Sequence, residues 1–252
     1  MNTVLITGCS SGYGLATALH FHAQGWTVLA GMRRPQALPE GLVPGCARFQ
    51  PIALDVTDPA SIASALQACG PVDVLVNNAG IGLFGAFEAT PMATVRELFD
   101  TNTLGTMAMC QAVLPQFRER RAGVIVNVSS SSVLAPMPLV AAYTASKTAV
   151  EGFTASLALE LAEFGIRARL VQPGYAPTTR FAANGGERMQ GLVPEAYAGY
   201  ARKVFAMLTQ LKAVTAEADV AEAVWLAATE VDGPLRRPAG ADAVALARGG
   251  VA

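Results

Sequence analysis

Tyr143 and Lys147 stand four residues apart in the helix-forming stretch Ala142-Tyr143-Thr144-Ala145-Ser146-Lys147. Positions i and i+4 share a helix face, so this spacing sets an ammonium beneath a phenol. A neighbouring positive charge favours phenolate and brings a hydroxyl of ordinary pKa about 10 nearer to useful acid–base range. Just upstream, four consecutive serines, Ser129 to Ser132, follow the apolar run Ile125-Val126-Asn127-Val128. From the end of a buried strand, one of these hydroxyls and that of Tyr143 can donate to the same substrate oxygen. Both bonds strengthen as negative charge develops on that oxygen, and this difference is what accelerates a reaction. The chain has only two histidines, His20 and His22, both distant in sequence from the serines. A serine–histidine hydrolase is therefore disfavoured. Two positions apart on a helix, the two imidazoles diverge and make a poor metal site.

A second group of residues opens the chain. Val4-Leu5-Ile6-Thr7-Gly8-Cys9-Ser10-Ser11-Gly12-Tyr13-Gly14 reads as strand, turn and helix start. Gly8, Gly12 and Gly14 permit close backbone approach, while Ser10, Ser11 and Tyr13 fill the turn. The helix N-terminus adds free N–H groups and a favourable dipole for a pyrophosphate. The spacing Gly-x-x-x-Gly-x-Gly is looser than the dinucleotide fingerprint, so position in the fold carries the reading. The stretch Val28-Leu29-Ala30-Gly31-Met32-Arg33-Arg34 ends in two arginines and lacks an acid. An acid there would bond ribose hydroxyls and repel a 2′-phosphate, whereas guanidinium pairs with phosphate. NADP(H) is expected over NAD(H), which stays the alternative. Asp55-Val56 ends another strand, with the carboxylate placed to accept from an adenine amino group. Asn77-Asn78-Ala79-Gly80 ends the next, where Asn77 either closes an Asx turn or ties strand ends together. Asn102, with Gly105 near it inside a helical pattern, suggests a kink that frees a carbonyl for a water.

These groups need a frame, and the hydrophobic pattern supplies one. Strands are expected at Val4–Thr7, Trp26–Ala30, Phe49–Leu54, Val72–Val76, Gly123–Val128 and Ile166–Val171, alternating with helices. The helices are expected over Gly12–Gln24, over Pro59–Ala68 with Asp58 as cap, from Thr90-Pro91 to about Arg118, and over Ala141–Phe164. Thr90 is expected to cap its helix, and Pro115 to bend or interrupt its last turns. Nearly continuous apolar strands fit a doubly wound parallel sheet covered by helices on both faces, in one domain spanning 1–252. Regularity lapses over about 175–214, which reads as short helices over a pocket. A helix over Ala216–Thr229 follows, and either Leu235–Ala239 or Val244–Ala247 supplies a last strand.

Composition narrows the function classes. Of 252 residues, 52% are hydrophobic and 15% charged, below the roughly 25% charged share of ordinary globular domains. Net charge is −1 without a basic block, which argues against a nucleic-acid partner. The four cysteines show no paired short spacing, so neither zinc nor a disulfide scaffold is expected. No signal-peptide pattern and no membrane-length apolar run occur, and a cytoplasmic protein without a membrane span is the expectation.

In this order, the Thr7–Gly14 turn, Asp55, Asn77–Gly80, Asn102, the serine step, Tyr143/Lys147 and Pro173-Gly174 with Thr178 resemble the short-chain dehydrogenase/reductase family. The resemblance covers nearly the whole chain. It implies a seven-stranded Rossmann-type sheet and a catalytic set of Asn102, Ser130, Tyr143 and Lys147. Ser130 is chosen because the family's serine usually precedes the tyrosine by thirteen positions, although Ser129, Ser131 and Ser132 adjoin it. Asn102 would place a water in a proton relay to Lys147, and Lys147 would also hold the nicotinamide ribose. Pro173-Gly174 would edge the nicotinamide, and Thr178 would bind its carboxamide or diphosphate. Two positions depart from the usual pattern, Val133 for a small glycine and Tyr13 for an aliphatic residue. The run from Pro234 to Ala243 and the turn Gly-Cys-Ser-Ser-Gly are similar to the steroid- and retinol-dehydrogenase-like branch. Family members are commonly homodimers or homotetramers built on the helices around 91–118 and 141–164.

The expected pocket wall is apolar, with Leu134, Met137, Leu139, Val140, Tyr175, Phe181, Met189 and Leu192, and with Arg180 and Arg188 turned to solvent. It suits a hydrophobic ketone, aldehyde or alcohol, and Ser130, Leu134, Met137, Tyr143, Tyr175 and Met189 are the expected contacts. Three accounts fit: an NADP(H)-dependent carbonyl reductase or alcohol dehydrogenase, a dehydratase or epimerase of the same fold, and a non-catalytic dinucleotide-sensing or interaction protein.

Overall fold

A computed structural model of the chain describes residues 2–37, 47–177, 186–211 and 213–249. Seven short segments form the strands β1 (Thr3–Thr7), β2 (Thr27–Met32), β3 (Phe49–Ala53), β4 (Val74–Asn77), β5 (Gly123–Val128), β6 (Ile166–Pro173) and β7 (Arg236–Ala239). They make one parallel sheet in the order β3-β2-β1-β4-β5-β6-β7. The helices are α1 (Gly12–Ala23), α2 (Pro59–Cys69), α3 (Met92–Phe99), α4 (Gly105–Arg120), α5 (Ala141–Ala162), α6 (Gly186–Met189), α7 (Glu195–Thr209), α8 (Glu217–Thr229) and α9 (Ala241–Ala247).

Alternation along the strands divides the core into two layers. Val4, Ile6, Val28 and Val76 face Phe21 of α1 and Val224 of α8. Leu5, Leu29, Leu75 and Ile125 face Ile62 of α2, Phe117 of α4 and Leu161 of α5. Because successive side chains point to opposite faces, the central strands β1, β2, β4 and β5 are apolar on both sides and must be covered twice. Chain order reverses between β1 and β4, where the crossovers leave opposite ways. The carboxyl ends Thr7 and Asn77 therefore border a crevice of the kind that holds ligands in open α/β sheets.

The strands and long helices lie where the hydrophobic pattern puts them, with ends displaced by a few residues. β7 takes the first of the two candidate positions, and Val244–Ala247 belongs instead to α9. Asp58 caps α2, accepting from the Ala60 N–H at 2.9 Å. Two local expectations need correcting. Thr90 does not cap α3; its hydroxyl donates to the Ala86 carbonyl at 3.0 Å, closing the turn before the helix, and Pro91 occupies the cap position. Pro115 does not interrupt α4, which continues to Arg120. Val113 and Phe117, fully buried on either side, hold the helix against the sheet through the proline. Among the described residues, no helix is long and apolar enough to cross a membrane.

A polar chain runs through the interior beneath the crevice. The Asn77 amide donates to Asn127 Oδ1 at 2.9 Å, the Asn127 amide donates to the Thr154 hydroxyl at 2.8 Å, and that hydroxyl donates to the Val150 carbonyl at 2.7 Å. Asn77 thus ties β4 to β5, and Asn127 ties β5 to α5, rather than closing an Asx turn. Unpaired buried amides are costly, so each link fixes a distance. Asn127→Ala is expected to lower unfolding stability by about 2–4 kcal/mol, against about 1 kcal/mol for removal of the exposed cap in Asp58→Ala. Urea unfolding of both variants checks this, and a smaller loss for Asn127→Ala than for Asp58→Ala would contradict it.

Candidate active site

Along the crevice lies a cavity of about 1170 Å³. At one end the turn after β1 packs against the segment after β4. Gly8 has φ +76°, and a Cβ added there would sit 2.8 Å from the Ala79 Cα. A Cβ on Gly14 would sit 2.3 Å from the Gly8 carbonyl oxygen. Thr7 fastens the two segments, its hydroxyl oxygen accepting from the N–H groups of Asn78 at 3.0 Å and Ala79 at 2.9 Å. The Asn78 amide donates back to the Thr7 carbonyl at 3.0 Å. Ser11 precedes α1 in an extended conformation with no side-chain cap, and the first residues of that helix line the cavity. Such a cradle, closed to any Cβ and ending on a helix N-terminus, fits a dinucleotide pyrophosphate.

Gly8, Ser10, Ser11, Gly12, Tyr13 and Gly14 all line this cavity, as do Asp55, Val56, Asn78, Ala79 and Gly80. Arg33 lines it from the end of β2, whereas Arg34 is exposed and lies outside the wall. Only the first of the two expected arginines is therefore brought to the site. The Asp55 carboxylate accepts from the backbone N–H of Thr57 at 2.9 Å and from its hydroxyl at 2.7 Å. The Thr57 N–H is the main cause holding this carboxyl below its usual range, and Arg33 adds to it.

At the other end α5 presents Tyr143 and Lys147. Lys147 is buried, and its ammonium donates to the Val128 carbonyl at the end of β5 at 2.9 Å. A Cβ on Gly80 would lie 3.5 Å from the Lys147 Nζ and 3.2 Å from Asn102 Oδ1, so the missing side chain is what lets these groups converge. Burial pushes the Lys147 ammonium down to about 8. Burial also pushes the Tyr143 phenol up to about 12, opposed by a hydrogen bond from Ser130. The expected lowering of the phenol by the ammonium is thus not found. Lys147 is directed at Val128, and desolvation dominates.

Among the four serines, Ser130 is the one near enough to Tyr143 to act on its phenol. Its oxygen also accepts from the Ser132 N–H at 3.2 Å, which caps the short turn Ser131–Val133. The Ser129 and Ser132 hydroxyls are sealed from solvent.

Asn102 sits on a π turn, Asp100–Leu104, between α3 and α4. Single π turns of this kind recur at functional sites. The side chain is fully buried and does not line the cavity. Its amide oxygen accepts from the Ile81 N–H at 2.8 Å, and its amide nitrogen donates to the Ile81 carbonyl at 3.0 Å and the Ser146 hydroxyl at 3.1 Å. Ser146 lies between Tyr143 and Lys147, so Asn102 holds the helix turn that carries both. The Asn102 carbonyl accepts from the Thr106 hydroxyl at 2.9 Å.

Beyond Tyr143 the wall is made by Pro173, Gly174 and Tyr175 with Met137, Val140 and Met189. Leu134, Leu139, Val133 and Leu192 stand outside it; Leu192 instead accepts from the Ala86 N–H at 2.7 Å behind the wall. Thr178, Arg180 and Phe181 lie outside the described residues. Arg188 does not face solvent as expected. It lines the cavity and grips the Glu97 carboxylate through two bonds, of 3.1 and 2.6 Å, joining α6 to α3. Leu83 and Phe84 also line the cavity, and Phe84 stacks on Phe205 of α7 with ring centroids 4.6 Å apart. These contacts escape a sequence reading because they join segments about a hundred residues apart with no shared motif. Among the described residues, no group of three or more His, Cys, Asp or Glu could hold a metal ion.

Comparison with known proteins agrees with this geometry. The family model described as short chain dehydrogenase matches residues 2–189. Retinol dehydrogenase 8 of Bos taurus is 42% identical over 181 residues, which are 68% of this chain and 58% of that protein. 17-beta-hydroxysteroid dehydrogenase type 1 of Mus musculus is 41% identical over 187 residues, 69% of this chain and 54% of that protein. The chain thus spans little more than half the length of these relatives. A short-chain dehydrogenase from Streptomyces avermitilis superimposes with a TM-score of 0.83 at 37% identity, covering 98% of this chain and 91% of that one. The closed form of a serine dehydrogenase complexed with NADP+ superimposes with a TM-score of 0.79 at 27% identity, covering 94% of each chain. With a cradle for a dinucleotide at one end of the cavity and the serine, tyrosine and lysine together at the other, the chain belongs to the short-chain dehydrogenase family, on its steroid- and retinol-dehydrogenase-like branch.

Proposed function

We propose that this protein is an NADP(H)-dependent oxidoreductase that interconverts a hydrophobic ketone or aldehyde and the corresponding alcohol. The observation that carries the reading is the convergence of Ser130, Tyr143 and the enclosed ammonium of Lys147 on the cavity that also holds the glycine turn. A bound nicotinamide supplies the hydride for the carbonyl carbon, or takes it back from the alcohol. Ser130 and Tyr143 donate to the carbonyl oxygen and bind it more tightly as it becomes an alkoxide. Tyr143 then delivers its proton to that oxygen. The phenolate left behind regains a proton from the side of Lys147, whose orientation is set by Val128. Asn102 holds this helix turn through Ser146, beside Lys147, where a relay water could return a proton towards that ammonium.

The wall favours an apolar substrate. Met137, Val140, Leu83 and Phe84 contribute no charge, and Arg188 is engaged by Glu97 rather than available to a carboxylate. The names of two relatives, a retinol and a 17-beta-hydroxysteroid dehydrogenase, support the same substrate class. For the cofactor, Arg33 at the end of β2 and the NADP+ held by the serine dehydrogenase of similar fold support NADP(H).

A panel of ketones, aldehydes and alcohols, run with NADPH and NADH and followed by nicotinamide absorbance, tests the reading. Tyr143→Phe is expected to lower turnover roughly a thousandfold while NADPH affinity changes by about twofold or less; equal turnover would overturn the assignment of Tyr143. Arg33→Ala should weaken NADPH roughly ten- to a hundredfold and leave NADH nearly unchanged, measured by direct titration. Equal effects on both cofactors would contradict the role of Arg33.

The pH dependence follows from Lys147. Its ammonium is charged below about 8 and neutral above. Tyr143, pushed up to about 12, keeps its proton throughout that range. Carbonyl reduction is therefore expected to fall as pH rises through about 8. Lys147→Arg, which keeps its charge, should carry whatever activity it retains to higher pH without that decline. A level profile across pH 7–10 in the natural sequence would contradict this.

A further inference from the structure

A carboxylate stands directly behind the cavity wall at the end where Tyr143 lies. Asp242, the second residue of α9, is 2% exposed and does not line the cavity itself. Its Oδ2 accepts from the Tyr175 N–H at 2.6 Å, and its Oδ1 accepts from the Thr215 hydroxyl at 2.6 Å. A Cβ on Gly174 would fall 2.1 Å from Oδ1, so the carboxylate occupies the place of that side chain. One backbone segment, Gly174–Tyr175, is all that separates it from the cavity. The same segment is held from the other side by Tyr13, whose hydroxyl donates to the Gly174 carbonyl at 3.4 Å.

The two described partners of Asp242 are neutral donors, which orient its charge without cancelling it. The effect of that charge reaches the wall. The Tyr13 phenol is held above its ordinary value first by burial, then by Tyr143 and by the carboxylates of Asp242, Glu217 and Asp219. The Gly174–Tyr175 edge of the cavity is therefore backed by negative charge, where screening by water is weak, while the Lys147 ammonium stands with Tyr143 on α5. The two redox forms of a nicotinamide differ in charge at the ring, which is cationic when oxidised and neutral when reduced.

We propose that Asp242 is a positioning residue that fixes the Gly174–Tyr175 edge and biases the site towards the oxidised, cationic nicotinamide over the reduced one. This rests on the nicotinamide reading of the preceding subsection and adds a direction to it. As hydride leaves for the carbonyl carbon the ring gains positive charge, while the alkoxide is neutralised by the Tyr143 proton. A fixed anion behind the ring edge stabilises only the charged product of that step, so the balance within the enzyme leans towards carbonyl reduction.

Calorimetric titration of the natural sequence and of Asp242→Asn, with NADP+ and NADPH separately, tests this without any substrate. The amide retains an acceptor for Tyr175, and the Thr215 hydroxyl can turn to accept from the new N–H. In Asp242→Asn the ratio of the NADP+ dissociation constant to that of NADPH is expected to rise roughly three- to tenfold. Glu217→Gln, which lies outside the wall, should move the ratio the same way by a smaller factor and serves if Asp242→Asn does not fold. Equal weakening of both forms, with the ratio unmoved in whichever variants fold, would reduce Asp242 to a wall support and overturn this inference alone. Failure of the natural sequence to bind either form would overturn the cofactor reading with it.

Discussion

The candidate site depends on one enclosed hydrogen bond, from the ammonium of Lys147 to the carbonyl of Val128. A buried ammonium without a partner is costly, so the carbonyl at the end of β5 sets where α5 must stand. Rotation of that helix about its axis would break the bond, and it would carry Tyr143 away from Ser130. The neighbouring contacts reinforce the same attitude. Ser146 accepts from the Asn102 amide, the Thr103 hydroxyl donates to the Ser146 carbonyl at 3.0 Å, and Asn127 reaches Thr154 two turns further along. Tyr143 and Ser130 meet because the helix has little freedom to be elsewhere.

Charge is distributed along the cavity with a corresponding logic. Arg33 stands at the end suited to a phosphate, close enough to Asp55 and Glu97 to stabilise both carboxylates. Asp242 stands behind the opposite end, next to Gly174. Between them the glycine turn presents backbone rather than side chains. A molecule with an anionic end and a ring that alternates between neutral and cationic forms complements this gradient. The Arg188–Glu97 pair closes the side of the cavity with a net charge of zero, and the apolar wall stays apolar in effect.

Much of this arrangement was legible in the sequence because it is local or periodic. The i, i+4 pair of Tyr143 and Lys147 needs only a helix to become a site, and the glycine turn needs only a strand before it. Alternating apolar runs disclosed the parallel sheet for the same reason. The parts that were hidden are set by distant packing. Nothing near Arg188 in sequence points to Glu97, and nothing near Asp242 points to Tyr175. The sealed orientation of Ser129 and Ser132 depends on the short turn that Ser130 caps. Pro115 does not interrupt α4 because local propensity yielded to the burial of Val113 and Phe117. The phenol of Tyr143 departs from its spacing for another reason. Spacing revealed its charged neighbour but not the desolvation that outweighs it.

The central claim is that hydride reaches a carbonyl carbon while Tyr143 protonates the oxygen. It is tested most directly by isotopic labelling. A hydrophobic ketone that the protein consumes would be incubated with NADPH carrying deuterium at both hydrogens of the ring carbon that donates hydride, and the alcohol analysed by NMR. The expected result is one deuterium on the carbinol carbon for each cofactor oxidised, with the hydroxyl hydrogen drawn from solvent. Alcohol formed without deuterium at that carbon, or ketone consumed with no cofactor oxidised, would contradict the account.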